Sequence, residues 1–224
     1  MNGNVFRSLT SGIKLKRKKP VQNNVQNDVH DSGKIGINSI ETDGEEKLFE
    51  DETNPVRKKY RIQVFGEDVP DPVSSFDEIV SKYKMNEAVC NNLKECGFSD
   101  PTPVQMQTIP LMMERRELIA SAPTGSGKTI AFLLPIITQL RRRKKIGFRA
   151  LILSPTWELA KQTHREFLSI SNGTGLRIHM INDVDKFKKK FGPGSTIDKD
   201  IVITTPKRLS KLLSTDPPSI DLKQ

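Results

Sequence analysis

The chain has 224 residues, 35% of them hydrophobic and only 6% aromatic, with two cysteines and a net charge of +9. That length holds one domain with a tail or two small domains, and the low apolar share points to a polar tail diluting an ordinary core. Cys90 and Cys96 cannot build a disulfide framework, the three histidines are scattered, and no apolar leader or membrane-length run is visible, so the expectation is an intracellular, non-membrane chain without a zinc module.

Residues 1–60 read as a disordered tail, poor in apolar residues, Asn/Gln-rich over Gln22 to Asn27 and acidic from Glu41 to Glu52. Its Lys14 to Lys19 run matches a nuclear localisation patch and equally a solvated basic stretch. Through Ser74 the charges balance at 12 Lys/Arg to 12 Asp/Glu, whereas from Ser75 onward they run 24 against 15. The whole basic excess therefore sits on the part expected to fold, which favours an anionic partner, nucleic acid before membrane. Ordinary solubility is the other reading, and charge alone does not separate them. The expected organisation is a tail over 1–60, a linker region over 61–107 and an α/β domain over 108–224.

Order is expected to begin near Phe76, because Ser75-Phe76-Asp77-Glu78 has the Ser-x-x-Glu form of a capping box. The spacing over Asn86 to Cys96 puts Val89, Leu93 and Cys96 on one helical face, with Gly97 as the stop. Four short apolar runs follow: Leu118 to Ala122, Ala150 to Leu153, Leu176 to Ile181 and Ile201 to Thr204. They do not alternate and are separated by helix-length stretches, as strands of a parallel sheet covered on both faces would be. The longest apolar stretch, Ile130 to Ile137, is interrupted by Pro135.

The strongest chemical signal is Ala122-Pro123-Thr124-Gly125-Ser126-Gly127-Lys128-Thr129, between an expected strand and an expected helix. Small residues let successive N–H groups curl around phosphate oxygens at a helix end that already favours anions. Lys128 would reach the β- and γ-phosphates, and the Thr129 hydroxyl would hold Mg²⁺. The general pattern opens with Gly, where this chain has Ala122.

Upstream lies Gly97-Phe98-Ser99-Asp100-Pro101-Thr102-Pro103-Val104-Gln105. By itself it is a helix start, with Thr102 as N-cap, Pro103 at the first helical position and Gln105 closing a capping box. A glutamine amide also donates and accepts at once, matching adenine's amino group and ring nitrogen but not guanine's edge. Placed 23 residues before Lys128, Gln105 reads as an adenine-recognising residue for a nucleotide bound at the loop.

Together these residues resemble a known family. Phe76, Gly97-Phe98 and Pro101 to Gln105 resemble the Q motif of DEAD-box RNA helicases, and Ala122 to Thr129 resembles their motif I. Pro155-Thr156-Trp157-Glu158-Leu159-Ala160 is similar to motif Ia, and Thr205-Pro206-Lys207-Arg208-Leu209 to motif Ib. The phrases around them resemble the ROK-type branch of that family, which serves small-subunit ribosome maturation. The resemblance implies a RecA-like domain and RNA-stimulated ATP hydrolysis with ATP and Mg²⁺ as cofactors. It implies Phe76 and Gln105 at the adenine, and Pro155, Thr156, Trp157, Thr205, Pro206 and Arg208 along RNA. The partners it implies are pre-rRNA and ribosome-assembly proteins, in the nucleus and nucleolus.

Some positions depart from the pattern. Motif Ia normally carries Arg where Trp157 stands, a cation lost at a place where phosphate contacts supply affinity. Motif Ib usually has Gly at the place of Lys207, and the family's Gly-Gly doublet is missing near His179 to Asp183, as it is in the ROK-type branch. Hydrolysis also needs one carboxylate for the Mg²⁺ shell and another to activate water. The resemblance places the Asp-Glu-Ala-Asp motif beyond Gln224, so the expectation is an N-terminal fragment that does not itself turn over ATP. Asp183 is the one substitute carboxylate at the end of an expected strand. Two rivals remain: a non-catalytic ATP- and RNA-binding fragment, and an unrelated phosphate-loop ATPase, which the Gln105 motif disfavours. The basic runs Arg141 to Lys145, closing a helix, and Lys186 to Lys190, expected in a loop, read as solvated surface.

Overall fold

The computed structural model describes residues 54–214, apart from 145, 146, 193, 194, 196 and 198. The Lys14 to Lys19 run and most of the expected tail lie outside them. Order begins well before Phe76. Helix α1 (Pro55–Tyr60) is capped by Asn54, whose side chain accepts from the Val56 and Arg57 N–H groups, with Pro55 at its first position. Helix α2 (Phe76–Tyr83) starts at the expected cap, since Ser75 Oγ accepts from Glu78 N–H. The return arm differs: Glu78 binds the N–H and hydroxyl of Ser74 rather than Ser75. Helix α3 (Glu87–Glu95) buries Val89 and Leu93 as its spacing requires, while Cys96 ends it in the open.

Helix α4 (Pro103–Met113) and helix α5 (Lys128–Leu140) pack against each other. Pro135 does not break α5. It is buried mid-helix, and Thr138 Oγ1 ties down the Leu134 carbonyl at 2.7 Å. Strand β1 (Ala150–Leu153), helix α6 (Trp157–Ile170), strand β2 (Ile178–Met180), helix α7 (Val184–Phe191), strand β3 (Ile201–Thr204) and helix α8 (Pro206–Leu213) complete the described elements. The sheet is parallel with order β1-β3-β2, and β3 at its centre is buried along its whole length.

Side-chain alternation along β3 shows why the sheet needs helices on both faces. Ile201 and Ile203 join the main core with Phe167 and Ile170 of α6, whereas Val202 joins a second cluster with Phe187 and Phe191 of α7 and Leu212 of α8. The strands' entry ends are fastened by Asp200, fully buried, which accepts from the Arg149 guanidinium and from the Lys144 and Arg177 N–H groups.

Two further expectations fail. Leu118 to Ala122 is not a strand: it takes no regular structure, and Ile119 stands fully exposed. A strand exists only beside a partner, and among the described residues none of the three strands pairs with this run. Lys186 to Lys190 lies on helix α7, not in a loop. Asp183 caps that helix, and Val184, Phe187 and Phe191 recur on one buried face, so the lysines fall on the others.

Candidate functional site

The phosphate loop closes into α5 through two left-handed glycines, Gly125 at φ +79° and Gly127 at φ +83°. Gly127 is also crowded. A Cβ there would meet Gln105 Nε2 at 2.3 Å, closer than any real contact, whereas a Cβ on Gly125 would meet nothing within 4 Å. The loop's second glycine is thus required by conformation and by space together.

What crowds it is the amide identified from the sequence. Gln105 is 1% exposed; its Oε1 accepts the Thr102 N–H at 3.0 Å, and its Nε2 donates to the Gly127 carbonyl at 3.0 Å. The first contact is the capping-box arm that starts α4, while the reciprocal Thr102 Oγ1 arm is in place but outside hydrogen-bond geometry. One glutamine therefore opens the α4 helix and grips the loop. Each amide atom keeps unused capacity, a second N–H and a second lone pair.

Lys128 folds back on the loop, its Nζ donating to the Ala122 and Pro123 carbonyls. Ser126 Oγ is buried and has no hydrogen-bond partner among the described residues. An orphaned hydroxyl and an ammonium resting on loop carbonyls fit a loop shaped around an anion with more oxygens than the loop itself supplies. Thr129, one residue into α5, is half-buried beside Lys128. Both face a cavity of about 550 Å³ whose other walls are largely apolar, including Leu118, Phe132, Ile152, Leu153 and Leu159. Such walls do not match a triphosphate; they are core surface next to the unpaired 118–122 run.

The residues marked as RNA contacts gather at another place. Leu153 is level with Thr204, so β1 and β3 end together and α6 and α8 start side by side. Thr156 caps α6, its Oγ1 accepting from Leu159 N–H at 3.2 Å, and Thr205 stands as the N-cap of α8. Pro155 and Pro206 are exposed there. Trp157 is half-buried, with the Arg208 guanidinium 4.2 Å from its ring centroid. Phe76 goes elsewhere, into the main core among Val73 and Ile79 at 8% exposure. Asp183 holds the Asp185 and Lys186 N–H groups at 2.9 and 3.0 Å, a cap contact that lowers its pKa below the ordinary carboxylate value. That occupies it as a helix cap rather than as a metal ligand.

The Gln105–Gly127 contact could not be read from the sequence, which gave both residues but not their meeting. Arg57 was also missed: 4% exposed, it donates to Gln107 Oε1 and to the Pro70 carbonyl. The Asn54-Pro55 start of α1 was the available signal.

A DEAD/DEAH box helicase family model matches residues 102–223. The chain is 52% identical over 177 residues to a probable ATP-dependent RNA helicase DDX52 of Mus musculus, covering 79% of this chain and 30% of that protein. It is 38% identical over 179 residues to the ATP-dependent RNA helicase ROK1 of Yarrowia lipolytica, covering 74% and 33%. Among solved structures, the yeast DEAD-box splicing factor Prp28 superposes with a TM-score of 0.63 at 27% identity, over 80% of this chain and 42% of that one. A DEAD box protein from the hyperthermophile Methanococcus jannaschii gives a TM-score of 0.57 at 29% identity, over 67% and 39%. The chain spans about a third of the length of the curated relatives it matches.

Proposed function

The chain belongs to the DEAD/DEAH box helicase family, with its RecA-like fold, and from that premise we propose that it binds ATP with Mg²⁺ and RNA as the N-terminal part of an ATP-dependent RNA helicase. The observation that carries this is the join between Gln105 and the Gly127 carbonyl, which couples the adenine-matching amide to the phosphate loop. Gln105 presents its remaining donor and acceptor to adenine, and the loop N–H groups from Gly125 to Thr129 receive the phosphates. Lys128 would exchange its bonds to Ala122 and Pro123 for phosphate oxygens, and the Thr129 hydroxyl would help hold Mg²⁺. The bound metal would neutralise charge on the phosphates. Phe76 is given no direct contact with the adenine in this proposal, since its ring is buried in the main core. RNA backbone lies along Pro155, Thr156, Trp157, Thr205, Pro206 and Arg208.

By kinship with the relatives named DDX52 and ROK1, the RNA is proposed to be pre-rRNA, met with ribosome-assembly proteins in the nucleolus. Asp183 is not proposed as a magnesium carboxylate, because it is engaged as a helix cap. The deciding experiment is competition against a fluorescent adenine nucleotide. ATP and ADP should displace it far better than GTP, and Lys128→Ala should weaken every triphosphate. Equal displacement by GTP defeats the adenine assignment.

A further inference from the structure

Trp157 is the chain's single tryptophan and stands where motif Ia ordinarily has a cation. The structure puts a cation back from another helix. The Arg208 guanidinium lies 4.2 Å from the Trp157 ring centroid, and Lys161 Nζ lies 5.4 Å from it. The level ends of β1 and β3 bring the first residue of α6 near the first turn of α8, where the two side chains meet.

The kind of contact matters more than its strength. A guanidinium stacked on an indole engages through its π face and keeps its in-plane N–H donors. An ion pair would consume those donors. The backbone N–H of Arg208 donates to the Thr205 carbonyl within the helix, whereas among the described residues no hydrogen bond or ion pair uses its guanidinium N–H groups, and Trp157 is the guanidinium's aromatic partner. Arg208 is half-buried at a sheet edge whose neighbours Pro155 and Pro206 are exposed. With an aromatic partner on one face and its guanidinium donors uncommitted, Arg208 can take an anion with less loss of side-chain freedom than a fully solvated arginine.

We propose that Trp157 is a positioning residue that holds Arg208 for a backbone phosphate of RNA. The binding cation of this edge comes from α8, and α6 contributes the platform that fixes it. This rests on the RNA-binding reading above.

The test uses the 224-residue chain and a fluorescein-labelled twelve-nucleotide oligo-U, with binding read by anisotropy at several salt concentrations. Arg208→Ala should weaken binding about 5- to 10-fold and flatten the salt slope by the ~0.7 expected for one single-strand phosphate. Trp157→Ala should reproduce both effects, and the double variant should lose no more than either single one. Trp157→Phe, which keeps a ring of lower quality, should retain most of the affinity. Trp157→Arg should gain nothing, since it removes the platform and adds a like charge beside Arg208 and Lys161. A free-protein readout isolates the stack: Arg208→Ala should shift the emission of the lone Trp157, whereas a ring unaware of Arg208 would emit unchanged. Wild-type binding matched by Trp157→Ala, or tightened and steepened by Trp157→Arg, overturns the positioning role alone. Failure of the wild-type chain to bind oligo-U in low salt overturns the RNA reading, and this role with it.

Discussion

The Gln105 side-chain nitrogen donates to the Gly127 carbonyl at 3.0 Å while the same amide's oxygen accepts the Thr102 N–H. The residue proposed to read adenine is thereby bonded to the loop proposed to hold phosphate. Gln105→Ala should erase the ATP-over-GTP preference, a loss on the order of 1–3 kcal/mol. Gln105→Glu is the sharper probe, because a carboxylate cannot donate and would face the Gly127 carbonyl while 1% exposed. It should also lower the thermal midpoint, by roughly 1–3 kcal/mol of stability for the unsatisfied pair. A glutamate variant as stable and as selective as wild type would show that the contact carries neither function.

The two loop glycines should respond unequally. Gly125→Ala meets only the left-handed penalty, about 1–2 kcal/mol, because no atom lies within 4 Å of the new methyl. Gly127→Ala meets that penalty and drives into Gln105 Nε2, so it should cost more and abolish nucleotide binding. Adding Gln105→Ala removes the colliding amide, so the double variant should recover part of the lost stability. Urea midpoints of the three variants decide it, and strictly additive losses would refute the clash.

Asp183 gives a pH signature. Its charged form is held by the Lys186 and Asp185 N–H groups, with burial opposing slightly and nearby Lys186 and Lys211 assisting, so its pKa lies below the unfolded value. A group depressed on folding stabilises fully above its unfolded pKa, about 4 for aspartate, and loses that contribution as pH falls through the folded value. The difference in melting temperature between wild type and Asp183→Ala should be constant near neutrality and shrink below about pH 4. Nucleotide binding at neutral pH should be untouched. A pH-independent difference would mean that the carboxylate charge plays no part in capping α7.

Arg149 and Asp200 form a pair at 10% and 0% side-chain exposure. Arg149→Met would leave a buried carboxylate with only the Lys144 and Arg177 N–H groups. Breaking such a pair from one side costs about 3–5 kcal/mol. Adding Asp200→Asn should restore part of it by removing the stranded charge. Unfolding in urea measures both, and an Arg149→Met midpoint equal to wild type would show that water or a shifted lysine compensates.

What the sequence disclosed was whatever depends on neighbours along the chain. Ser75, Asn86 and Thr102 each start a helix, and Val89 with Leu93 is buried because local spacing sets caps and faces. The runs at 150–153, 178–180 and 201–204 became strands because each pairs with a neighbour, and only β3 is covered along its whole length, since Leu151 and Leu153 of β1 stand exposed. Leu118 to Ala122 has the same composition and failed, since pairing is a property of two segments and composition describes one. The Trp157–Arg208 stack was hidden for a related reason. It joins positions 51 residues apart whose meeting depends on the β1–β3 register. From the sequence, Trp157 was an RNA contact by resemblance and a lost cation by composition, with nothing to show Arg208 beside it.

Arg57 bears on where the folding unit starts. The family match opens at residue 102, yet Arg57 and Gln107 clasp each other and the Pro70 carbonyl, and Arg116 holds the Glu67 and Asp68 carbonyls. A polypeptide trimmed to the matched residues would strip Gln107 of both partners on the very helix that carries Gln105. Trimming to Phe76 would do the same, while discarding residues that look like expendable leader. Trypsin offers a direct view: cleavage at Arg57 should be slow while exposed Lys58, Lys59 and Arg61 on the same short segment are cut. The boundary of the domain as an inherited pattern and its boundary as a physical object differ here by about fifty residues, and the helix that carries Gln105 leans on the stretch between them.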